Sequence, residues 1–256
     1  MAKPTALIDG DILIYRAALA AEHPIDWGEG IWTLHAYMDD AITLFDTFLG
    51  RVLNGLKTDK YIVCLTDKTN FRKSILPSYK SNRTDKRPPM LKDPLREHVL
   101  QEYETFMRPG LEADDILGIL ATNPRIVKGD KVIATVDKDL KSVPGKVYNI
   151  DSGVLDEITE AEADLNHMIQ ALIGDPVDGY SGCPGIGKVK AGRLLGECGS
   201  ASAYWSVVVG TYEKAGLNEA YALAQARVAR ILRSSDYDYR EKRPILWTPE
   251  GRPKSE

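Results

Sequence analysis

The fold is decided by a short run near the start of the chain, Thr5-Ala6-Leu7-Ile8-Asp9-Gly10-Asp11, in which apolar residues stop abruptly at acids and a glycine. An apolar run of this length, bounded by a turn signal, is typical of a buried strand. Two later runs have the same form: residues 61–65 lead to Asp67, and residues 131–136 lead to Asp137. The sequence therefore predicts three buried strands that each end at an aspartate.

Helical spacing of apolar residues appears between these strands. We predict helices over about 32–54, 93–107 and 112–122, and a fourth strand over about 146–150. Strands that alternate with helices build a parallel sheet covered by helices, so the predicted class is α/β.

The character of the chain changes near residue 159. We predict a helix over about 160–173, a second that carries Leu194-Leu195, and a last helix over about 217–233. The glycine-rich turn Pro184-Gly185-Ile186-Gly187 lies between the first two of these helices. Such a turn suits a plain helix connection, and it also suits close approach of backbone N–H groups to a phosphate. We therefore divide the chain into an α/β domain over residues 1–159 and a small helical region with a tail over residues 160–256.

The aspartates that follow the strands are candidates for a shared site. The carboxyl ends of parallel strands lie at one edge of a sheet, where functional crevices form. Each aspartate alone reads as a turn residue or helix cap. Because all three strands end this way, we expect Asp9, Asp67 and Asp137 to converge.

Further acids accumulate beside these positions. Glu112, Asp114 and Asp115 open a predicted helix, although the helix dipole also favours acids there. Asp137 and Asp139 point the same way in extended geometry. All-oxygen sites select Mg²⁺ or Mn²⁺ over zinc, and two such ions can cleave a phosphodiester. The candidate metal ligands are Asp9, Asp67, Glu112, Asp114, Asp115, Asp137, Asp139, Asp175 and Asp178.

The charge distribution favours a nucleic-acid partner although the net charge is −4. Residues 68–96 hold nine Lys or Arg and two acids, a local net charge of +7. This proline-containing stretch reads either as a solvated loop or as a basic flap over the crevice. The candidate DNA contacts in this stretch and in the glycine-rich turn are Arg72, Lys73, Gly185, Gly187, Lys188 and Lys190.

Several protein classes are excluded by composition. The three cysteines and four histidines form no Cys-x-x-Cys or His-x-x-x-His pair, so neither a disulfide framework nor a zinc hydrolase is indicated. The chain lacks the ~20 consecutive apolar residues that would span a bilayer, and its start does not read as a secretory signal. We expect a cytoplasmic protein that uses neither a membrane nor a small-molecule cofactor.

The motifs together resemble the 5′-nuclease family, which comprises flap endonucleases and 5′→3′ exonucleases. The matching stretches are Leu7-Ile8-Asp9-Gly10, Thr66-Asp67, Phe71-Arg72, Tyr79-Lys80-Ser81-Asn82-Arg83, Glu112-Ala113-Asp114-Asp115, Thr135-Val136-Asp137-Lys138-Asp139-Leu140, Gly174-Asp175-Pro176-Val177-Asp178 and Pro184-Gly185-Ile186-Gly187. The branch from short-tailed bacteriophages is the most similar, through Asp9-Gly10-Asp11, Asp178-Gly179-Tyr180-Ser181-Gly182 and Ala229-Arg230-Ile231-Leu232-Arg233. One departure precedes the glycine-rich turn, where the family more usually has Asn-x-Pro-Gly.

The resemblance implies a PIN-like parallel-sheet nuclease domain with a helical arch at about 68–107, followed by a helix–hairpin–helix region. One metal ion would be held by Asp9, Asp67, Glu112 and Asp114. The other would be held by Asp137, Asp139 and Asp178, with Asp114 between the two ions and Asp115 and Asp175 further out.

The resemblance also implies roles for basic residues. Lys80 and Arg83 would lie in the arch and contact the scissile phosphate as catalytic residues. Gly185, Gly187 and Lys188 would grip duplex backbone, with a K⁺ ion at the hairpin.

The predicted function is therefore a Mg²⁺-dependent 5′→3′ exodeoxyribonuclease and flap endonuclease. Its partners would be duplex DNA with 5′ ends or flaps and RNA–DNA hybrids, in phage replication and primer removal within the host cytoplasm. Three alternative functions are less well supported by the sequence. A non-enzymatic nucleic-acid binder is expected to have lost some of the nine carboxylates, and a PIN-type ribonuclease would need neither the arch nor the hairpin. A phosphatase with an Asp-x-Asp nucleophile would have Thr or Val at the position of Leu13.

Overall fold

The computed structural model describes residues 3–81, 87–198 and 203–249. Its strands are β1 (Thr5–Asp9), β2 (Glu22–Asp26), β3 (Trp32–Ala36), β4 (Lys60–Cys64), β5 (Thr105–Phe106), β6 (Lys131–Thr135), β7 (Gly145–Asn149), β8 (Leu155–Ile158), β9 (Tyr237–Asp238) and β10 (Arg243–Pro244). Its helices are α1 (Gly10–Ala20), α2 (Met38–Leu56), α3 (Arg72–Ile75), α4 (Lys92–Glu102), α5 (Ala113–Thr122), α6 (Glu160–Ile173), α7 (Lys188–Gly196), α8 (Tyr204–Lys214) and α9 (Glu219–Ala229).

The main sheet has the strand order β5-β4-β1-β6-β7-β8. Its strands are parallel except β8, which pairs antiparallel with β7. The chain builds outward from β1 through β4 and β5, and then starts again on the other side of β1 with β6. In open α/β sheets the functional crevice lies at such a reversal, beyond the carboxyl ends of the strands.

Both faces of β1 are buried, which explains its unbroken apolar sequence. Ala6 and Ile8 pack into a core with α1, α2 and α4, whereas Leu7 packs into a second core with α5 and β7. Fully burying a side chain such as Leu7 or Ile8 contributes about 1.5–3 kcal/mol. The double burial fixes the register of β1 and hence the position of Asp9 at its end.

The four predicted strands are confirmed as β1, β4, β6 and β7. The helix predicted over 32–54 is wrong at its start, because residues 32–36 form β3 of an antiparallel hairpin with β2 and α2 begins only at Met38. The helix predicted over 93–107 ends earlier, at Glu102, and Thr105–Phe106 joins the sheet edge as β5.

The helices after residue 159 have their own apolar core, which includes Leu172, Leu195 and Tyr212. The predicted helix over 160–173 is confirmed as α6, which begins with a capping box of Thr159 and Glu162. The predicted last helix, over 217–233, is shorter than expected. It ends at Ala229 because Arg230 adopts an extended backbone.

The chain beyond α9 returns to the α/β part of the molecule. Ile231, Leu232 and Tyr237 pack into the core on the α5 side of the sheet. The tail therefore belongs structurally to both parts, and the division at residue 159 remains a prediction. No helix within the described residues is long and apolar enough to cross a membrane.

Candidate active site

A crevice of about 1020 Å³ opens at the carboxyl edge of the sheet. It lies above β1 and β6, at the reversal of strand order. The structure brings eight of the nine predicted metal ligands to its walls, and their role as ligands remains a prediction. These residues are Asp9, Asp67, Glu112, Asp114, Asp137, Asp139, Asp175 and Asp178.

Strand ends and helix starts position the acids at the centre. Asp9 caps α1 by accepting a hydrogen bond from the Ile12 N–H at 3.3 Å, and it accepts another from the Thr135 hydroxyl at 2.8 Å. Asp137 accepts the Asp139 N–H at 2.8 Å and so caps a short 3₁₀ turn. These caps hold both carboxylates at the carboxyl ends of β1 and β6, where the strand order reverses.

Three of the predicted ligands in the crevice are hard to ionise. Burial raises the pKa of Asp9 to about 7, and the negative charges of Asp11 and Asp137 add to this effect. Burial, followed by the charges of Asp9 and Asp137, raises the pKa of Asp114 well above its usual value. Burial and the charge of Asp137 also raise the pKa of Asp139, to about 6. The folded chain therefore does not neutralise these acids with its own cations.

Two other acids are stabilised in the ionised form. The Gly110 N–H, which donates to Asp67 at 2.8 Å, lowers the pKa of Asp67 to about 2 together with hydrogen bonds from Thr69. Burial opposes ionisation of Glu112, but the positive charges of Arg72 and Lys80 outweigh it and lower the pKa of Glu112 to about 2.

The donor set fits divalent cations that prefer oxygen. Buried carboxylates without sufficient counter-charge require a cation to remain ionised. Among the residues that the structure describes, no three acid, His or Cys side chains converge closely enough to enclose an ion by themselves. Mg²⁺ bound to a protein commonly keeps several waters in its coordination shell.

Lys80 reaches into the crevice from the segment that follows α3. Its ammonium group contacts Glu112 and lies 3.5 Å from an oxygen of Asp178. The neighbouring Tyr79 hydroxyl donates to Glu112 at 2.8 Å and lies 3.3 Å from an oxygen of Asp178. Sequence reasoning missed this role of Tyr79, although its place next to Lys80 was the available signal. The other predicted catalytic residue, Arg83, lies outside the described residues.

Asp115 and Arg72 require correction, because each is the other's buried partner. Arg72 donates to the two oxygens of Asp115 at 2.7 and 2.8 Å, and Asp115 is completely buried. Arg72 is only 2% exposed and also donates to the carbonyls of Val228 and Arg230. Asp115 therefore cannot be a metal ligand of the crevice, and Arg72 cannot contact DNA. The pair joins α3, α5 and the chain after α9.

Asp11 is a crevice acid that was not among the predicted ligands. It lines the crevice beside Asp9 and accepts the Thr66 N–H at 3.3 Å. Burial raises its pKa. Its signal in the sequence was the Asp9-Gly10-Asp11 run, in which Asp11 falls in the first turn of α1.

The glycine-rich turn forms a second surface, outside the crevice. Gly185, Gly187, Lys188 and Lys190 are all exposed, while Ile186 is buried in the core of the helical region and anchors the turn. Gly187 caps α7 at its N-terminus, where the first N–H groups of a helix have no partner within the helix. Lys73 is also exposed and does not line the crevice.

Comparison with known proteins agrees with this geometry. Residues 4–168 match the family model described as the 5′-3′ exonuclease N-terminal resolvase-like domain. An exodeoxyribonuclease of Enterobacteria phage T3 is 30% identical, with 96% of this chain and 93% of the relative covered. An exonuclease of Escherichia phage T7 is also 30% identical, with coverages of 96% and 94%.

Solved structures show the same fold. A bacteriophage T5 flap endonuclease, solved in a complex with DNA and metal ions, matches with a TM-score of 0.65 over 88% of each chain at 14% identity. A bacteriophage T5 5′-exonuclease with bound zinc matches with a TM-score of 0.60 at 15% identity, over 88% of this chain and 89% of the other. The PIN-like α/β prediction is thereby confirmed, and the chain belongs to the 5′→3′ exonuclease family.

Proposed function

We propose that this chain hydrolyses phosphodiester bonds at the 5′ ends of duplex DNA and at 5′ flaps, with two Mg²⁺ ions in the crevice. The observation that carries the proposal is the convergence of eight predicted ligands in one crevice of a 5′→3′ exonuclease family member. The phage relatives are named as an exodeoxyribonuclease and an exonuclease. A member of the same fold was solved with DNA and metal ions.

The acids of the crevice would form two sets of metal ligands, one for each ion. Asp9, Asp67, Glu112 and Asp114 would hold one ion, and Asp137, Asp139 and Asp178 the other, with Asp114 between them and Asp175 further out. Bound Mg²⁺, or Mn²⁺ in its place, would activate a water and stabilise the leaving oxygen. The raised pKa values of Asp9, Asp114 and Asp139 support this assignment, since a divalent cation supplies the missing positive charge.

Lys80 provides positive charge in the crevice, beside Glu112 and Asp178. A lysine placed there stabilises the charge that develops on the scissile phosphate. Tyr79 holds the Glu112 and Asp178 carboxylates on either side of that ammonium group. Arg83 would add a second positive charge from the arch at about 68–107.

The exposed turn would bind duplex backbone at a distance from the cut. Gly185 and Gly187 allow close approach of a phosphate, and Lys188 and Lys190 add charge, with K⁺ as a further bridge. Lys73 would contact the strand near the arch. In this assignment residues 1–159 perform the chemistry together with Asp175 and Asp178, and the rest of residues 160–256 selects duplex, including RNA–DNA hybrids during primer removal.

The test is cleavage of a 5′-labelled flap duplex in Mg²⁺, with product sizing. We expect short 5′ products, no cleavage in EDTA, and no cleavage by an Asp9→Asn variant. The exposed Asp39→Asn variant serves as a charge-matched control. Binding without cleavage would indicate a non-enzymatic binder, and cleavage of single-stranded RNA alone would indicate a PIN-type ribonuclease.

A further inference from the structure

The base of the arch is clasped to the loop that carries Asp178. The Lys80 N–H donates to the Asp178 carbonyl at 2.8 Å, and the Ser78 hydroxyl donates to the Gly179 carbonyl at 3.2 Å. We call these two facing segments, residues 78–80 and 178–179, the clasp. The clasp joins parts of the chain that are about 100 residues apart in sequence.

Gly179 is the point of closest approach in the clasp. Its φ of +78° lies in the left-handed region. A Cβ atom at this position would lie 2.5 Å from the Ser78 carbonyl oxygen and 3.2 Å from the Lys80 nitrogen. Both obstacles are backbone atoms, which cannot rotate away as a side chain can. Any other residue would therefore push residues 78–80 away from the Asp178 loop.

The same clasp holds Lys80 in an unfavourable conformation. Lys80 has a φ of +54°, which a non-glycine residue adopts only when its surroundings impose it. The hydrogen bond to Asp178 supplies one constraint. A second comes from Tyr79, whose ring packs in a small apolar cluster with Tyr180 and Val228. The direction of the Lys80 side chain thus depends on the spacing that Gly179 permits.

We propose that Gly179 is a positioning residue for the nuclease reaction. Its missing side chain lets the arch base close on the Asp178 loop, so that the Lys80 ammonium group is held 3.5 Å from the Asp178 carboxylate in the wall of the crevice. This rests on the roles of Lys80 and Asp178 proposed above. Gly179 itself touches neither substrate nor metal.

The test compares Gly179→Ala with the matched control Gly129→Ala. Gly129 has a similar φ of +81°, lies before β6 at the opposite edge of the sheet, and has nothing within 4 Å of an added Cβ. At saturating flap duplex and Mg²⁺, we expect Gly179→Ala to lower the single-turnover rate by about 10- to 100-fold, since a displacement near 1 Å is sufficient for such a loss. Gly129→Ala should leave the rate unchanged. Equal rates for the two variants would overturn the proposal.

A double-mutant cycle separates positioning from a general loss of structure. In a Lys80→Ala background, Gly179→Ala should lower the rate by a much smaller factor, because the group that it positions is already absent. The same factor in both backgrounds would overturn the proposal. If Gly179→Ala does not fold, Ser78→Ala removes only one hydrogen bond of the clasp and should lower the rate a few-fold with an unchanged melting temperature. An inactive parent chain would instead refute the proposed function itself.

Discussion

One carboxylate can serve both as a helix cap and as part of a reactive crevice. Asp9 caps α1 with one oxygen and accepts the Thr135 hydroxyl with the other. Its burial and its acidic neighbours nevertheless leave it with a raised pKa of about 7. The cap fixes the direction of the side chain, and the missing counter-charge supports the proposed role of Asp9 as a metal ligand. The structural and functional interpretations of such an aspartate are therefore compatible.

Lys80 can be distinguished from a binding residue by kinetics. We expect Lys80→Ala to lower the single-turnover rate at saturating DNA by roughly 10²-fold, the order found when one electrostatic contact to a transition state is lost. Duplex affinity should change little, because Lys80 is proposed to stabilise the transition state and not to hold the duplex. Exposed Lys73 gives the comparison, since Lys73→Ala should weaken affinity and spare the rate. An affinity collapse with an intact rate would reassign Lys80 to binding.

The buried Arg72–Asp115 pair predicts a loss of stability rather than a direct catalytic effect. Asp115→Ala would leave the Arg72 guanidinium without its main partner in the interior, which costs roughly 3–5 kcal/mol. The exposed Arg16–Asp151 pair is the control, and Asp151→Ala should cost no more than about 1 kcal/mol. Urea unfolding in EDTA measures both variants. Parent-like stability of Asp115→Ala would contradict the buried role.

At the scale of elements, β1 could be predicted from the sequence because both of its faces are buried, which makes the strand an unbroken apolar run. The error at residues 32–36 arose because Leu34 was read as the first apolar position of the helical pattern that continues through α2. The alternation with polar Thr33 and His35 indicated a strand, and the turn between β2 and β3 contains Gly28 and Gly30. The short edge strands β5 and β8 depend on pairing with β4 and β7, which local sequence does not encode.

The acids that directly follow strands, such as Asp9 and Asp137, could be placed in the site from the sequence alone. Which acid of α5 faces the crevice depends instead on how that helix packs against the sheet. Asp114 faces the crevice, whereas the adjacent Asp115 meets Arg72 from a segment 43 residues away. Long-range contacts of this kind determine orientation, and no local pattern in the sequence reports them.

The hairpin before α7 can be tested by placing a negative charge in it. Gly187 is exposed, has φ of −95° and has open space around an added Cβ, so Gly187→Asp should fold normally. An aspartate there would repel a docked phosphate, so duplex affinity should fall and its salt dependence should weaken. Gly196→Asp places the same charge at the far end of α7 and should bind like the parent. An unchanged salt slope for Gly187→Asp would exclude the hairpin from the DNA interface.

At the scale of the whole molecule, the crevice makes stability depend on pH. Asp9, with a pKa of about 7, and Asp139, with a pKa of about 6, bind protons more tightly in the folded than in the unfolded chain. The folded state therefore holds more protons between about pH 4 and pH 7, and the free energy of unfolding falls as pH rises through that window. Burial lowers the pKa of His167, so this one residue makes the free energy of unfolding rise with pH and opposes the effect of the carboxyl groups.

We therefore expect the metal-free protein to melt at a lower temperature at about pH 7.5 than at about pH 5, because the crevice carboxyl groups lose protons that stabilise the fold. Mg²⁺ should raise the melting temperature most at the higher pH, since it binds the ionised carboxylates of the native state alone. Asp9→Asn keeps the cap but removes a charge, so in EDTA it should melt above the parent at the higher pH and depend less on pH. Asp39→Asn, on the exposed start of α2, should follow the parent. If Asp9→Asn melts below the parent in EDTA, the Asp9 carboxylate stabilises the fold and the crevice does not store the repulsion that metal binding is proposed to relieve.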